Sequence, residues 1–442
     1  MKRKADTICA IATPPGRGGV GVIRLSGPDS FAIAESLSGS LPAPRSVALR
    51  SFRDAAGELI DQGLILCFAG PASFTGEDVV EFQVHGAPVV LQLLLKACVD
   101  AGARRADPGE FSQRAFLNDR MDLAQAEAVA DLIAAGTEKA ARAATRSLEG
   151  EFSRQVNALA EALIELRVWI EAALDFPDED VDFLADGQVL SRVNDLLKRL
   201  EVLLARADAG RILNDGIRVA IIGPPNAGKS SLLNALSRRD AAIVTPTPGT
   251  TRDVLRETIS IAGLSVTLAD TAGLRETRDH IEAEGVRRAE REMQAADLIF
   301  WVVDSTSDQA QPLPGLPSSV PMLRIHNKID LSGLPARSEG REVWLSAASG
   351  AGLNLLEALV AAEMGLSESD GGDFSARQRH VDQLELALAC VRRGRDELAA
   401  SGSGELLAEE LRQAATALGE ITGQMSADEL LGRIFSSFCI GK

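Results

Sequence analysis

The chain has 442 residues, 45% of them apolar and 25% charged, with a formal net charge of −17; this is ordinary globular composition in a length that exceeds one hydrophobic core, so two to four domains are expected. No run approaches the ~18–20 apolar residues of a membrane span, and the basic start MKRK is not followed by the apolar region of a signal peptide. A surface this acidic excludes a protein coated in nucleic acid, while five scattered cysteines (Cys9, Cys67, Cys98, Cys390 and Cys439), never in CxxC spacing, point to a reducing cytoplasm with no disulfide framework or zinc site.

Residues 1–120 read as mixed α/β and are electrically neutral. They hold 13 Lys+Arg against 13 Asp+Glu, leaving 33 against 50 for the rest. "GVGVIRLSG" and "VVEFQVHG" predict strands ending in glycine turns, and "PVVLQLLLKACVDAG" predicts a helix closed by Gly102. From about 121 the texture turns to alanine-rich helix. Phe152, Val156, Leu159, Leu163, Leu166 and Ile170 place one apolar stripe, and Val189, Val193, Leu196, Leu200 and Leu203 place another. The acidic "DEDVDF" sets Asp178, Asp180 and Asp182 at alternate positions. An EF-hand loop then needs Gly and Glu where this chain has Phe183 and Val189, so a solvated loop is expected.

At 215–370 strand and helix alternate, beginning with the buried-strand run "IRVAIIG". Helical stripes then return, one through Val381, Leu384, Leu388 and Val391 and one through Leu407, Leu411, Ala414, Leu418 and Ile421. Helices of one kind thus flank an α/β segment. The economical plan has an α/β domain at 215–370 inserted into a helical bundle made of 121–214 and 371–442, with residues 1–120 forming an N-terminal α+β domain.

The inserted segment carries the chemistry. "GPPNAGKSS" follows a predicted strand and opens a predicted helix, with Gly223, Gly228, Lys229 and Ser230 in the G-x-x-x-x-G-K-[ST] spacing. Such a loop, including Asn226, Ala227 and Ser231, turns backbone N–H groups toward phosphate oxygens at a helix N-terminus. Lys229 adds charge at the β- and γ-phosphates, and the Ser230 hydroxyl suits Mg²⁺. "LADTAGL" puts Asp270 at a strand end, followed by Thr271, Ala272 and Gly273 near the γ-phosphate. "HNKID" gives Asn327, Lys328 and Asp330, whose carboxylate accepts from the N1–H and amine of guanine. "LSAASG" offers Ser346 and a backbone donor to guanine O6 from Ala347 or Ala348. Their order is that of a P-loop, Ras-like GTPase domain. Leu274 stands where a Ras-like hydrolase has its water-orienting glutamine, so another group must take that part.

With these motifs, "ATPPGRGGVGVIRLSG", "FTGEDVVEFQVHG", "PGEFSQRAFLND", "GTTRDVLRE" and the terminal "FSSFCIGK" make the chain resemble the bacterial MnmE (TrmE) family of tRNA modification GTPases over nearly its whole length. The resemblance implies a folate-binding and dimerising N-terminal domain, a helical domain and an inserted G domain. It further implies GTP hydrolysis by G domains that pair in a homodimer, with K⁺ held by Asn226, Thr245, Thr247 and Thr250 in the loop that also contains Gly249. Thr251 would join Ser230 on Mg²⁺, and Glu282 would orient the water. Pro224 stands where members commonly carry Arg, and Pro246 and Pro248 stiffen the K⁺ loop.

In the N-terminal domain the resemblance implies a reduced folate, 5,10-methylene- or formyl-tetrahydrofolate, held by Arg24, Glu81 and Arg120. The implied reaction installs an aminomethyl or carboxymethylaminomethyl group at C5 of the wobble uridine of certain tRNAs. It is carried out with the FAD-binding partner MnmG (GidA) in a heterotetrameric or larger complex, with no membrane involved. A ribosome-assembly GTPase should append a basic RNA-binding module, and the region after 366 is acidic and helical. A folate-dependent transferase in which GTP is only a switch stays open at this point.

The ending remains. "FSSFCIGK" follows a short helix predicted to open with a Ser426–Glu429 capping box and to carry Leu430, Leu431 and Ile434. Gly441 and Lys442 rule out a prenylation signal. The apolar residues are expected to dock this tail on the helical domain. By resemblance it closes the folate site across the dimer, with Cys439 a candidate for chemistry and Lys442 for the folate pocket.

Overall fold

The computed structural model describes residues 6–175, 188–239, 256–270, 293–307, 320–366, 374–424, 428–436, 438 and 441. They pack as two units, one of residues 1–130 with 419–442 and one of residues 131–418.

The first unit is built on six strands: β1 (Ile8–Ile11), β2 (Gly18–Ser26), β3 (Val47–Arg53), β4 (Leu59–Phe68), β5 (Val79–Gly86) and β6 (Arg104–Arg105), in the order β3-β4-β5-β2-β1-β6. Only β6 runs parallel to its neighbour, β1. Period-two alternation sends Ile23, Leu25, Val80, Phe82 and Val84 to one face. There α1 (Ser30–Ser38) and α2 (Pro88–Asp100) cover them with Ile33, Leu37, Leu91, Leu94 and Leu95. The intervening residues, Arg24 and Glu81 among them, take the other face, and register sets these two side by side. Helix α2 starts on Pro88, where the missing N–H costs nothing, and the chain leaves it through Gly102 at φ +113°.

Helices α3 (Glu110–Leu117) and α4 (Leu123–Ala134) follow. The last helix, Asp428–Ser436, returns to them. Ile434, Phe435 and Phe438 are buried against Leu123, Ala126, Phe116 and Met121. The tail therefore docks where α3 meets α4. A change of sequence texture near 120 and a change of packing inside α4 mark different things, because the opening turns of α4 serve the tail.

Every apolar stripe named above is buried, and all but Ile421 at the end of the last one belong to the second unit. Helix α5 (Glu138–Leu148) is capped by the Thr137 hydroxyl. Then come α6 (Glu151–Asp175) and α7 (Gln188–Asp215). Beyond the α/β segment, α11 (Gln378–Ser401) packs along α7 and is followed by α12 (Gly404–Thr422). The joint between the two halves is partly polar: Ser147 Oγ meets Ser375 N and O at 2.8 and 2.9 Å, and Arg377 donates to the buried Asp131 at 2.6 Å. Phe374 stacks on Phe152 with centroids 4.7 Å apart.

Between the halves lie β7 (Ile217–Ile222), α8 (Lys229–Arg239), β8 (Arg256–Ile261), β9 (Leu264–Asp270), β10 (Leu298–Asp304), β11 (Met322–Asn327), α9 (Ile329–Ser332), β12 (Arg337–Glu339), β13 (Glu342–Trp344) and α10 (Leu353–Glu363). The sheet order is β12-β13-β11-β10-β7-β9-β8, parallel from β13 to β9 with an antiparallel strand at each edge. Central strands covered on both faces must be apolar throughout, as "LIFWVV" in β10 is. One core beneath this sheet takes Leu232 and Leu236 from α8, Leu353, Leu356 and Val360 from α10, and also Ala143 from α5 and Leu213 from α7. The α/β and helical parts of this unit therefore share a hydrophobic core. Among the described residues no helix is long and apolar enough to cross a membrane.

Candidate functional site

Strand β7 ends at Ile222 beside β10, and the chain turns through 223–228 into α8. This is the crevice outside the carboxyl ends of a parallel sheet, where open α/β folds take their ligands. The turn needs its glycines. Gly223 has φ +148° and a Cβ there would fall onto Val302 O; Gly228 has φ +93° and a Cβ would fall onto Asn327 Nδ2. Asn226, exposed at the tip, is left-handed at φ +62°. Ala227 is buried, whereas Ser230 and Ser231 in the first turn of α8 are exposed. Lys229 Nζ donates to Gly223 O at 2.7 Å and to Pro224 O at 2.9 Å, so the ammonium lies over the loop it belongs to.

Asn327 ties this loop to a second one. It ends β11, is buried, donates from Nδ2 to Ala227 O at 2.9 Å, and accepts at Oδ1 from Ala347 N at 3.0 Å. The Ala347 N–H is thus engaged with Asn327. Ser346 is buried, and its hydroxyl accepts from Ser349 N at 3.1 Å, closing the 346–350 turn. Lys328 has φ +68° and its Nζ meets Asp304 Oδ2 at 2.6 Å. Hydrogen bonds from Lys328 and Thr306 hold the Asp304 carboxyl at a pKa of about 2. Asp330 follows in the first turn of α9, and Asp270 closes β9. Described parts of four predicted segments are therefore brought to one end of the sheet. Thr245, Thr247, Gly249, Thr250, Thr251, Thr271, Ala272, Gly273, Leu274 and Glu282 lie outside the described residues, as do Asp178, Asp180, Asp182, Ser426, Cys439 and Lys442.

A second constellation sits on the first unit's sheet. Arg24 reaches Glu81 Oε1 from Nε at 2.9 Å and from Nη2 at 2.7 Å. Its guanidinium lies over the Phe74 ring at 5.4 Å and the Phe111 ring at 5.8 Å. The Arg120 stem would contact a Cβ at Gly76, in the loop before β5. Behind it, Arg114 donates to Asp6, Glu77 and Glu110, and Arg104 to Asp6 and Glu110. Burial alone would raise the Asp6 and Glu110 carboxyls, but hydrogen bonds and charge from Arg104 and Arg114 hold both below the usual range. Sequence reasoning missed Phe74, Glu77, Phe111 and Arg114. They stand inside two stretches that carry the family resemblance, but no spacing rule marks an aromatic that will lie under an arginine.

Gly441 joins this region. It has φ +97°, and a Cβ there would strike Ile11 O, one residue past the position that pairs with Arg24. Gly441 therefore lies against β1.

A glycine loop that opens onto a helix N-terminus at the end of a parallel sheet, tied by Asn327, defines a P-loop GTPase, an enzyme that binds and hydrolyses GTP. Residues 7–120 match the family described as "GTP-binding protein TrmE N-terminus" and residues 123–439 the family described as "MnmE helical domain". The chain is 54% identical over 452 residues to the "tRNA modification GTPase MnmE" of Stutzerimonas stutzeri (strain A1501), covering 99% of each. It is 52% identical to that of Hydrogenovibrio crunogenus (strain DSM 25203 / XCL-2), again over 99% of each chain, and 53% identical to that of Pseudomonas paraeruginosa (strain DSM 24068 / PA7), over 100% of each. This chain belongs to the MnmE (TrmE) family.

Proposed function

We propose that this chain is a potassium-dependent GTPase of tRNA modification. In this reading it acts as a homodimer in the cytoplasm with an FAD-binding MnmG partner, and a reduced folate donates the one-carbon unit placed at C5 of the wobble uridine. The observation that carries the reading is similarity to relatives named tRNA modification GTPase MnmE along 99% of both chains, rather than along the GTPase segment alone.

The residues present suit the groups this reading requires. The Gly223–Gly228 turn is a cradle that side chains would fill, at a helix N-terminus that favours anions. In it Lys229 would leave the Gly223 and Pro224 carbonyls for the β- and γ-phosphates, and Ser230 would offer its hydroxyl to Mg²⁺. Asp330 would read the guanine edge, with Asn327 holding the neighbouring loops. Of the proposed K⁺ ligands only Asn226 is among the described residues, exposed at the tip of the loop. K⁺ at that point would stabilise charge developing between the β- and γ-phosphates, and Glu282 would orient the attacking water. For folate, Arg24 engages one oxygen of Glu81, leaving the other carboxylate oxygen to accept from a pterin edge. Phe74 and Phe111 supply flat apolar surface beside it.

GTP turnover in equal concentrations of KCl and NaCl tests the potassium assignment, and a rate at least tenfold higher in K⁺ is expected. Equal rates would sink that part of the proposal. tRNA from cells lacking the protein should carry wobble uridine unmodified at C5, read by mass spectrometry. Cys439→Ser should spare GTP turnover and abolish the modification.

A further inference from the structure

The two loops proposed to read guanine spring from adjacent short strands, and a stack of three side chains stands at their common root. His326, the last residue before Asn327, pairs in register with Trp344, two residues before Ser346. Their rings are parallel within 2°, with centroids 4.4 Å apart. Across Trp344 from the next strand, and in register with it, Arg337 holds its guanidinium 4.2 Å from the indole centroid. Glu342 Oε2 lies 2.7 Å from His326 Nε2, and Glu342 lies 3.7 Å from Arg324, whose guanidinium covers Trp301 at 4.8 Å. All of these side chains lie on the sheet face opposite Leu323, Ile325 and Val343, which belong to the core.

Strands β12 and β13 have three residues each, so few backbone bonds define how they align with β11. In so short a ladder side-chain pairs decide the register, and a slip by one residue sends every side chain to the wrong face. Here a slip would also carry Ala347 N away from Asn327 Oδ1 and break the tie between the loops. A one-residue slip would also break the parallel contact of the two rings, whose centroids lie 4.4 Å apart. The cation over Trp344 adds to the cost of such a slip.

We infer that the Arg337–Trp344–His326 stack is a positioning element for guanine-nucleotide binding: it fixes the register that sets Asn327, Asp330 and the 346–348 turn around the base. This rests on the reading of those residues as the guanine site. The test is isothermal titration of the full chain with GDP and with IDP, which lacks the exocyclic amine, alongside steady-state GTP turnover. Trp344→Leu is expected to weaken GDP about tenfold or more, to narrow the preference for GDP over IDP, and to raise KM while leaving kcat within about twofold. Trp344→Phe keeps a flat ring and should stay within about threefold of the parent. A GDP affinity within twofold of the parent in Trp344→Leu overturns the inference, as does a Trp344→Phe chain as weak as Trp344→Leu. If Trp344→Leu does not fold, His326→Gln, which keeps a partner for Glu342 and removes the ring, carries the same criteria. Asp330→Ala separates the two levels. If it too leaves GDP binding unchanged, the guanine reading has failed; if it weakens GDP while the stack variants do not, only the stack's role has failed.

Discussion

At the scale of single residues, the nucleotide site is decided by what is missing as much as by what is present. Gly228 lacks a side chain where Asn327 Nδ2 must pass on its way to Ala227 O. Gly228→Ala would add a methyl group onto a buried amide and force an L-residue to φ +93°. The tie then loses one or both of its bonds, each worth about 1 kcal/mol net and more where a buried partner is left unpaired. GDP affinity should fall about tenfold or more, measured by titration calorimetry, while the far-ultraviolet dichroism stays as in the parent. The glycine pattern announced this turn in the sequence, because phosphate-binding loops need it at that spacing. That Asn327 would close the loop from behind was not legible. Its partners Ala227 and Ala347 lie 100 and 20 residues away and contribute only backbone atoms, which every residue type has.

At the scale of elements, apolar spacing was a sufficient guide. The stripes from Phe152 to Ile170 and from Val189 to Leu203 fall on the buried faces of α6 and α7, because 3.6-residue periodicity leaves one face per helix to bury. What each face buries against was not in the period. Gly210 of α7 shows this: nothing in the local sequence asks for glycine, yet a Cβ there would meet Phe374 O, 164 positions along the chain. Two effects compete in Gly210→Ala. Helix propensity favours alanine by about 1 kcal/mol, whereas pressing a side chain into backbone costs typically 1–3 kcal/mol. The obstacle is a carbonyl beside Phe374, whose ring is itself stacked on Phe152, so it has little room to yield. Net destabilisation of about 1–2 kcal/mol is expected, read as a lower midpoint in urea unfolding.

For the whole molecule, the end of the chain is structural before it is anything else. Ile434, Phe435 and Phe438 are buried on Leu123, Ala126 and their neighbours. Burying three such side chains contributes about 5–9 kcal/mol at roughly 1.5–3 kcal/mol each. Removing residues 434–442 should lower the first thermal transition of the full chain by several degrees and expose an apolar surface that binds a hydrophobic dye. Cys439→Ser should leave that transition in place. The pair of measurements separates docking of the tail from the chemistry proposed for its thiol.

The sequence by itself determined the GTPase motifs, the helical stripes and the interrupted plan of helix, α/β segment and helix. Each of these is written in short-range spacing, where a local rule such as a period or a glycine position has a direct physical cause. Tertiary structure decided the remainder: that Ala143 and Leu213 of flanking helices complete the α/β core, that Arg24 lies over Phe74 and Phe111, and that Gly441 rests on β1. Those contacts join residues tens to hundreds of positions apart, and which apolar face or backbone oxygen they find depends on how the chain closes in space.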